Sequence, residues 1–491
     1  MAVNEVQLNN DKRNSLFGNA VFNIAYKLLD ILFPLISSGY VARILTPDGI
    51  GRHSAASNNI LYFVILGSLG IQAYGTREIA KRKNDPDARS RLFSELLTTN
   101  AILTSAAVAA FAVCILTLPL FKADQHLYLL CGIAIFFNFI NVDWYYQGTE
   151  EFRFIAIRSF AVKAVILAAV LIFIHKPEDI YLYALICVLA NGSNHIINVI
   201  HAGKSVRFSL KGIDLISHLK PLLFLALCTV STELYARMDI TMLDIIDQKS
   251  TVAFYSYAQR IITLLVATAI AITGVFLPRL SYYFEKNKEQ FTKLTKLGCD
   301  LMIFISFPVC FGIISVASPL IEVWLGDSYS QTAYILIILA LMIPFKCIGD
   351  IVCYQVMMSA GRESFLMVAY AVTLAINFVN NIILIPRFGA VGASVASLIS
   401  EIIVFIIVII PAAKYQDYKP DTRNLISAVC ASLIMTAVIY AEQLLISSPL
   451  LCLIIGTVSG VAIFAGLNLL FRNRFFTDNI LRRVFNRSNK N

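Results

Sequence analysis

The chain has 491 residues, of which 58% are hydrophobic and only 14% are charged, and its formal net charge is +9. This composition excludes an ordinary soluble domain, in which roughly a quarter of the residues are charged. A membrane-spanning helix needs about 20 apolar residues, so the chain has room for about a dozen spans joined by short loops.

Fourteen apolar stretches follow one another between Asn14 and Phe471, and each is predicted to be a membrane-spanning helix. The first seven lie near 15–42, 53–74, 93–119, 127–147, 154–174, 179–201 and 219–243. The last seven lie near 251–277, 297–318, 331–358, 364–385, 391–413, 424–442 and 450–471. The sequence therefore predicts an all-α polytopic membrane protein with about 14 transmembrane helices.

Lysine and arginine are distributed unevenly between the two sets of predicted loops. Of the 40 basic residues, 28 fall on the side of the N-terminus, six fall on the opposite side, and six lie within or beside spans. Basic loops stay in the cytoplasm, so we predict a multi-pass protein with cytoplasmic N- and C-termini. The positive charge then sets the orientation in the membrane, and no nucleic-acid partner is expected.

Two pseudo-symmetric six-helix lobes are predicted from the loop pattern and from weak internal repetition. The predicted segments are an N-lobe, a cytoplasmic linker, a C-lobe, and helices 13 and 14 with a basic cytoplasmic tail, at 1–201, 202–218, 219–413 and 414–491. With a shift of 202 residues, Arg77 falls on Arg279 and Ser54 falls on Ser256. A parallel repeat of this kind predicts two bundles around a central cavity.

Prolines inside the spans predict bends at Pro34 in helix one, Pro308 in helix nine and Pro344 in helix ten. In lipid, the backbone groups freed at a bend must be satisfied by neighbouring helices or by water in a cavity. Pro34 is the strongest candidate for the bend of a helix that changes shape during a transport cycle.

Charged residues inside the spans are the candidate functional residues, because a charge near the bilayer centre costs about 2.5–3.5 kcal/mol on insertion scales. Such side chains usually face a partner or a water-filled cavity. Three acid–base pairs are spaced to share one helix face. These pairs are Lys27 with Asp30, Glu233 with Arg237, and Lys346 with Asp350.

Four further charges add to these pairs: the cations Arg260 and Lys163, predicted to be unpaired, and the acids Asp143 and Asp239. Cations in a polar lumen would hold an anionic headgroup, since the planar guanidinium matches a phosphate. The predicted substrate-binding cations are Lys27, Arg237, Arg260, Lys346 and Lys163. The acids predicted to couple transport to protons or sodium are Asp30, Glu233, Asp239, Asp143 and Asp350. Each pair could instead only ease insertion, and Glu401 and Glu442 are weaker candidates.

Several segments resemble the polysaccharide-transporter branch of the multidrug/oligosaccharidyl-lipid/polysaccharide (MOP) exporter superfamily, which includes O-antigen and repeat-unit flippases. The segments are NFVNN (377–381), ILIPRFGAVGASVASLISE (383–401), ARILTPDGIG (42–51), GIQAYGTREIAKRKND (70–85), YSYAQRI (255–261) and FLPRLS (276–281). The resemblance covers most of the chain up to about residue 415.

This resemblance implies two six-helix lobes around a V-shaped cavity and a flippase, not an enzyme. The implied substrate is an undecaprenyl-diphosphate-linked oligosaccharide, moved from the cytoplasmic to the outer leaflet of the bacterial cytoplasmic membrane for surface polysaccharide assembly. H+ or Na+ would be the coupling ion, and a polysaccharide polymerase with its chain-length machinery would be a partner. No cofactor is expected, and the six histidines show no pair at metal-ligand spacing.

Two alternative functions remain. A cation-coupled multidrug or metabolite exporter of the same superfamily would share the lobes and the acids, but a basic lumen repels cationic drugs. A membrane polysaccharide polymerase or glycosyltransferase would use the same lipid-linked sugars. Such an enzyme needs a large outer loop, whereas the longest one here, about 319–330, is too short for a catalytic platform although it includes Glu322 and Asp327.

The charge asymmetry predicts which loops an impermeant thiol reagent reaches in intact cells. Single cysteines in loops 75–92, 202–218 and 279–296 should be protected, whereas cysteines in 120–126 and 244–250 should be labelled. The ten native cysteines must first be removed or shown to be silent. Labelling of the 75–92 loop from outside would overturn the predicted orientation.

Overall fold

The structure, a computed structural model, describes residues 36–416 and 421–477. Every regular element in these two ranges is a helix, and no strand occurs among them. Eight helices of the described chain are long and apolar enough to cross a membrane, and there are up to eleven spans if each of three bent pairs counts as one. The predicted all-α membrane class is confirmed, while the number of fourteen helices stays a prediction.

The chain divides into two compact units, Met1–Arg237 and Met238–Asn491. The helices of the first unit are α1 (Ile36–Ser68), α2 (Ile71–Lys81), α3 (Pro86–Thr117), α4 (Gln125–Phe137), α5 (Asp143–Thr149), α6 (Phe152–Phe173) and α7 (Ile180–Ala202). The boundary between the units falls inside α8 (Ile216–Ile246).

The second unit continues from α8 with longer helices. They are α9 (Lys249–Thr273), α10 (Phe276–Lys286), α11 (Lys288–Leu325), α12 (Ser330–Ala340), α13 (Met342–Gly349), α14 (Glu363–Ala412), α15 (Thr422–Leu445) and α16 (Pro449–Leu470). A π-helical segment, Asp350–Gln355, follows α13. Helices α15 and α16 pack against α11 through a small apolar core that includes Val316, Met435 and Phe464.

Two of the long helices contain a left-handed residue at the turn predicted between two spans. In α1 this residue is Thr46, with φ of 62°. In α14 it is Gly389, with φ of 55° and ψ of −133°, which glycine adopts without steric strain. A Cβ at Gly389 would also lie 2.5 Å from a carboxylate oxygen of Asp247. Backbone conformation and close approach therefore both require glycine at this turn.

The tenth predicted span is bent, as its proline predicted. The helical stretches Asp327–Ala340 and Met342–Ser359 meet at 41°. Pro344 lies one turn after this break, where its ring displaces the carbonyl of Ala340 and offers no N–H to bond it. Pro308 lies inside α11, which continues past it, and Pro34 lies outside the described residues.

Helix α2 packs closely against α5 because two glycines remove side-chain bulk from the contact. A Cβ on Gly75 would lie 2.8 Å from the ring of Trp144. A Cβ on Gly148 would lie 2.7 Å from the side chain of Ile79 and 2.8 Å from the backbone carbonyl of Thr76. Ile79 and Trp144 are almost fully buried there. Small residues at a helix contact let the two backbones approach each other, as is common in membrane proteins.

Gly148→Ala should therefore destabilise the first unit by about 1–3 kcal/mol, because the added methyl group meets backbone that cannot rotate away. The matched control is Gly466→Ala in α16, where a Cβ would meet nothing within 4 Å. That change should be neutral or stabilising by up to about 1 kcal/mol, through helix propensity. Thermal midpoints of the detergent-purified variants measure both effects, and equal midpoints would contradict the close contact.

Candidate functional site

The predicted site residues are distributed over both units, and each unit contains its own polar network. Lys27 and Asp30 lie outside the described residues. The others are Asp143, Lys163, Glu233 and Arg237 in the first unit, and Asp239, Arg260, Lys346 and Asp350 in the second.

Glu233 and Arg237 form the ion pair that their spacing predicted. The Nε atom of Arg237 lies 2.8 Å from Oε2 of Glu233, and the two side chains are 32% and 37% exposed, respectively. Asn58 of α1 donates a hydrogen bond of 3.3 Å to the backbone carbonyl of Arg237. The pair is thus held on α8 but remains partly accessible, so the guanidinium has free surface for a ligand.

Lys346 and Asp350 do not pair, and this part of the prediction is wrong. The Nζ atom of Lys346 lies 2.7 Å from Oε2 of Glu401 on α14. Asp350 instead accepts hydrogen bonds from Gln355 at 2.8 Å and from Thr273 at 3.2 Å. The prediction considered only partners on the same helix, whereas Lys346 finds Glu401 on α14 and Asp350 finds Gln355 within the π-helical segment that it begins.

The two cations without a predicted partner differ from each other. The guanidinium of Arg260 lies 5.7 Å from the centre of the Tyr257 ring, a cation–π contact on the same helix. No described residue of its own unit gives Arg260 a carboxylate partner. Lys163 on α6 is engaged in an interaction within the protein, so the expectation that it is unpaired is wrong.

Asp143, at the start of α5, belongs to a triangle of side chains whose other two members are buried, while its own side chain is 33% exposed. Its Oδ1 atom lies 3.3 Å from a guanidinium nitrogen of Arg158 on α6. Arg158 also donates to the side-chain carbonyl of Asn198 on α7, and the Asn198 amide donates to Asp143. Arg158 is 7% exposed and Asn198 is fully buried. Arg158 is one of the six basic residues predicted to lie within or beside spans, and its position in the sequence suggested no role for it.

Asp239 is a buried carboxylate whose hydrogen-bond donors are all neutral. It is 4% exposed. Its Oδ1 accepts a bond of 2.6 Å from Asn381, and its Oδ2 accepts bonds from the hydroxyls of Tyr255 and Ser397. No described residue provides a basic partner for it. Burying a carboxylate without a countercharge is costly, and these three neutral donors offset part of that cost.

Further oxygen atoms surround the same carboxylate. Asn381 donates to the Asn377 carbonyl at 3.2 Å, and the Oδ1 atom of Asn381 is buried without a hydrogen-bond partner in the described structure. Carboxylate, amide and hydroxyl oxygens are the ligands of hard cations. One carboxylate provides one negative charge, which a single proton or monovalent ion would neutralise. Within the described ranges, no group of three or more His, Cys, Asp or Glu residues could hold a metal ion.

The neutral members of this network were not predicted, because only charged residues within the spans were considered as candidates. Asn377, Asn381 and Ser397 lie in segments that carried the family resemblance, but no role was assigned to them. A usable signal was present, since Asn377 and Asn381 are four residues apart in an apolar span and so share a helix face. Amides placed in this way in a membrane helix need polar partners.

Comparison with known proteins relates the whole chain to polysaccharide assembly. Residues 16–284 match the family described as "Polysaccharide biosynthesis protein". A putative O-antigen transporter of Escherichia coli (strain K12) is 21% identical over 403 residues, which cover 80% of this chain and 96% of the relative. Capsular polysaccharide biosynthesis protein CapF of Staphylococcus aureus is 25% identical over 402 residues, covering 79% and 95%.

Two solved structures have the same fold. The lipid II flippase MurJ, in an inward closed conformation, gives a TM-score of 0.76 at 17% identity and covers 94% of this chain and 99% of its own. An inward-facing multidrug resistance MATE family transporter of the MOP superfamily gives 0.58 at 13% identity, covering 80% and 97%. The transporter and flippase names agree with the prediction that the chain is not an enzyme. Since the family match spans more than half of its length, the chain belongs to the polysaccharide biosynthesis protein family, with the fold of MOP superfamily transporters.

Proposed function

We propose that the protein is a cation-coupled flippase for an undecaprenyl-diphosphate-linked oligosaccharide, which it moves from the cytoplasmic to the outer leaflet of the bacterial inner membrane. The family match supports transport of a polysaccharide precursor, as do relatives named for O-antigen transport and capsule biosynthesis that the chain matches over almost their full length. Coupling to a cation is inferred from Asp239, a buried carboxylate whose hydrogen-bond donors among the described residues are neutral.

The anionic headgroup would be bound by basic side chains whose present partners in the protein it can replace. Arg237 and Lys346 each face a carboxylate at 2.8 and 2.7 Å, and their side chains are 32% and 29% exposed. A diphosphate accepts charge-assisted hydrogen bonds from basic side chains as a carboxylate does and carries more charge, so it can replace Glu233 or Glu401 as the partner. Arg260 has only a ring beneath it and can accept an anion without first losing an ion pair. These basic groups favour an anionic lipid over a cationic drug.

The driving ion would act through Asp239. With a proton or sodium ion bound, the carboxylate is neutralised and the site is stable when dry. After release, the buried negative charge favours a rearrangement that restores its access to water or to a cation. Asp239 lies on α8, the helix that runs from the first unit into the second.

Loss of the cations should block transport without loss of the protein. Arg237→Ala and Arg260→Ala should abolish surface polysaccharide and cause the lipid-linked repeat unit to accumulate, because the headgroup loses charge-assisted hydrogen bonds. Lys293→Ala is the control, since Lys293 is an exposed lysine paired only with Glu289. The double change Glu233→Gln/Arg237→Gln removes the pair without stranding a charge. Normal polysaccharide in these variants at matched expression would reject a substrate role.

Removing the negative charge of Asp239 should stabilise the protein but abolish its response to ion gradients. Asp239→Asn should raise the thermal midpoint at neutral pH, by an amount equivalent to about 1 kcal/mol, because it removes a buried charge that has no countercharge. The variant should also lose the stimulation of flipping by proton and sodium gradients in proteoliposomes.

The control lies five residues further along α8. Asp244 has a fully buried side chain and is paired with Lys249, so Asp244→Asn should lower the midpoint by the equivalent of about 3–5 kcal/mol. Flipping by the Asp239→Asn protein that still responds to either gradient would exclude Asp239 as the coupling site. Equal midpoints for the two variants would contradict the different environments of the two carboxylates.

A further inference from the structure

In the first unit, a histidine nitrogen and a carboxylate oxygen face each other without a hydrogen bond. The Nδ1 atom of His195 on α7 lies 3.9 Å from Oδ2 of Asp143. This Nδ1 is buried and has no hydrogen-bond partner in the described structure. The bonds that Asp143 accepts from Arg158 and Asn198 both end on its other oxygen, Oδ1. Two polar atoms that are otherwise well placed to bond are thus left unused.

At 3.9 Å, no hydrogen bond joins His195 Nδ1 to Asp143 Oδ2. An imidazole nitrogen that carries hydrogen would donate to a facing carboxylate at about 2.7–2.9 Å. A neutral imidazole with hydrogen on Nε2 presents a lone pair at Nδ1, and two lone pairs repel each other. One added proton on Nδ1 turns this repulsion into a charge-assisted hydrogen bond. The proton comes from water, and no covalent bond other than the new N–H is made in the protein.

We propose that His195 Nδ1 and Asp143 Oδ2 form a proton-binding site in the first unit, separate from Asp239 in the second. The charged groups that face His195 are Asp143 from α5 and Arg158 from α6. From α4, the facing group is the apolar ring of Phe137, which closes on Gly192 one turn before His195. Burial of the imidazole opposes the added proton most strongly, Asp143 attracts it, and the buried Arg158 repels it.

Proton binding at this site would change how the helix ends are held. The unprotonated cluster of Asp143 and Arg158 is electrically neutral, and the carboxylate is directed at Arg158 and Asn198. The protonated cluster carries one extra positive charge, and His195 competes with Arg158 for the same carboxylate. Protonation would therefore loosen the bond between α5 and α6 and strengthen the one between α5 and α7. The predicted topology locates these helix ends on the cytoplasmic side, where the site would respond to cytoplasmic acidity.

A tryptophan next to the site allows a direct test. The chain has two tryptophans, and Trp144 directly follows Asp143. In full-length purified protein carrying Trp324→Phe, fluorescence from Trp144 should show a one-proton transition on acidification below neutral pH. His195→Gln should abolish this transition. Asp143→Asn removes the attracting charge and should move the midpoint to lower pH by about one unit or more.

Three other histidines serve as controls for this titration. His201 contacts Tyr146, His218 contacts Tyr74, and His126 is exposed at the start of α4. Glutamine at any of these positions should leave the midpoint unchanged. A transition that persists in the His195→Gln protein, or that is absent from the Trp324→Phe protein, would overturn the proposal. If His195→Gln does not fold, an unshifted midpoint in Asp143→Asn would do so. None of these outcomes depends on whether Asp239 couples transport.

Discussion

A charge that leaves water must find a partner, and this constraint accounts for the arrangement of the charged side chains described within the spans. The protein meets it in three ways. Glu233 with Arg237, and Lys346 with Glu401, are partly exposed ion pairs. Asp143 is held in a closed triangle with a buried arginine and an amide. Asp239 is solvated only by neutral donors, which leaves a net negative charge inside the second unit. The first two arrangements are balanced, and the third has no countercharge among the described residues.

This difference separates the charges that already have a countercharge from Asp239, which has none among the described residues. A partly exposed pair such as Glu233 with Arg237 gains little from binding a small ion, because each charge already has its countercharge. An unbalanced carboxylate gains a great deal, because a bound ion removes the cost of burial. The surrounding Asn381, Tyr255 and Ser397 fix its geometry without supplying a countercharge. Neutral donors thus hold the carboxylate in place while leaving its charge unbalanced by any described residue.

The sequence predicts local features well and long-range ones poorly. Apolar length predicts the helices, and Pro344 predicts a 41° bend because both effects act within one turn. The i,i+4 rule predicts the Glu233–Arg237 pair for the same reason. It fails for Lys346 because its partner, Glu401, comes from another helix, α14. The partners of Asp239 lie 142 and 158 residues away, at Asn381 and Ser397, and no helical period connects them. Only tertiary packing brings such residues together.

Helix α8 carries Arg237 as the last residue of the first unit and Asp239 as the second residue of the other. The two residues are separated by about 3 Å along the helix axis and by about 200° around it. The angle between the two residues around the helix axis is therefore set by a single turn of backbone. A one-residue insertion at Met238 would rotate one charge by about 100° relative to the other while leaving the composition of both networks unchanged. Coupling in this protein would thus be encoded in the pitch of one helical turn.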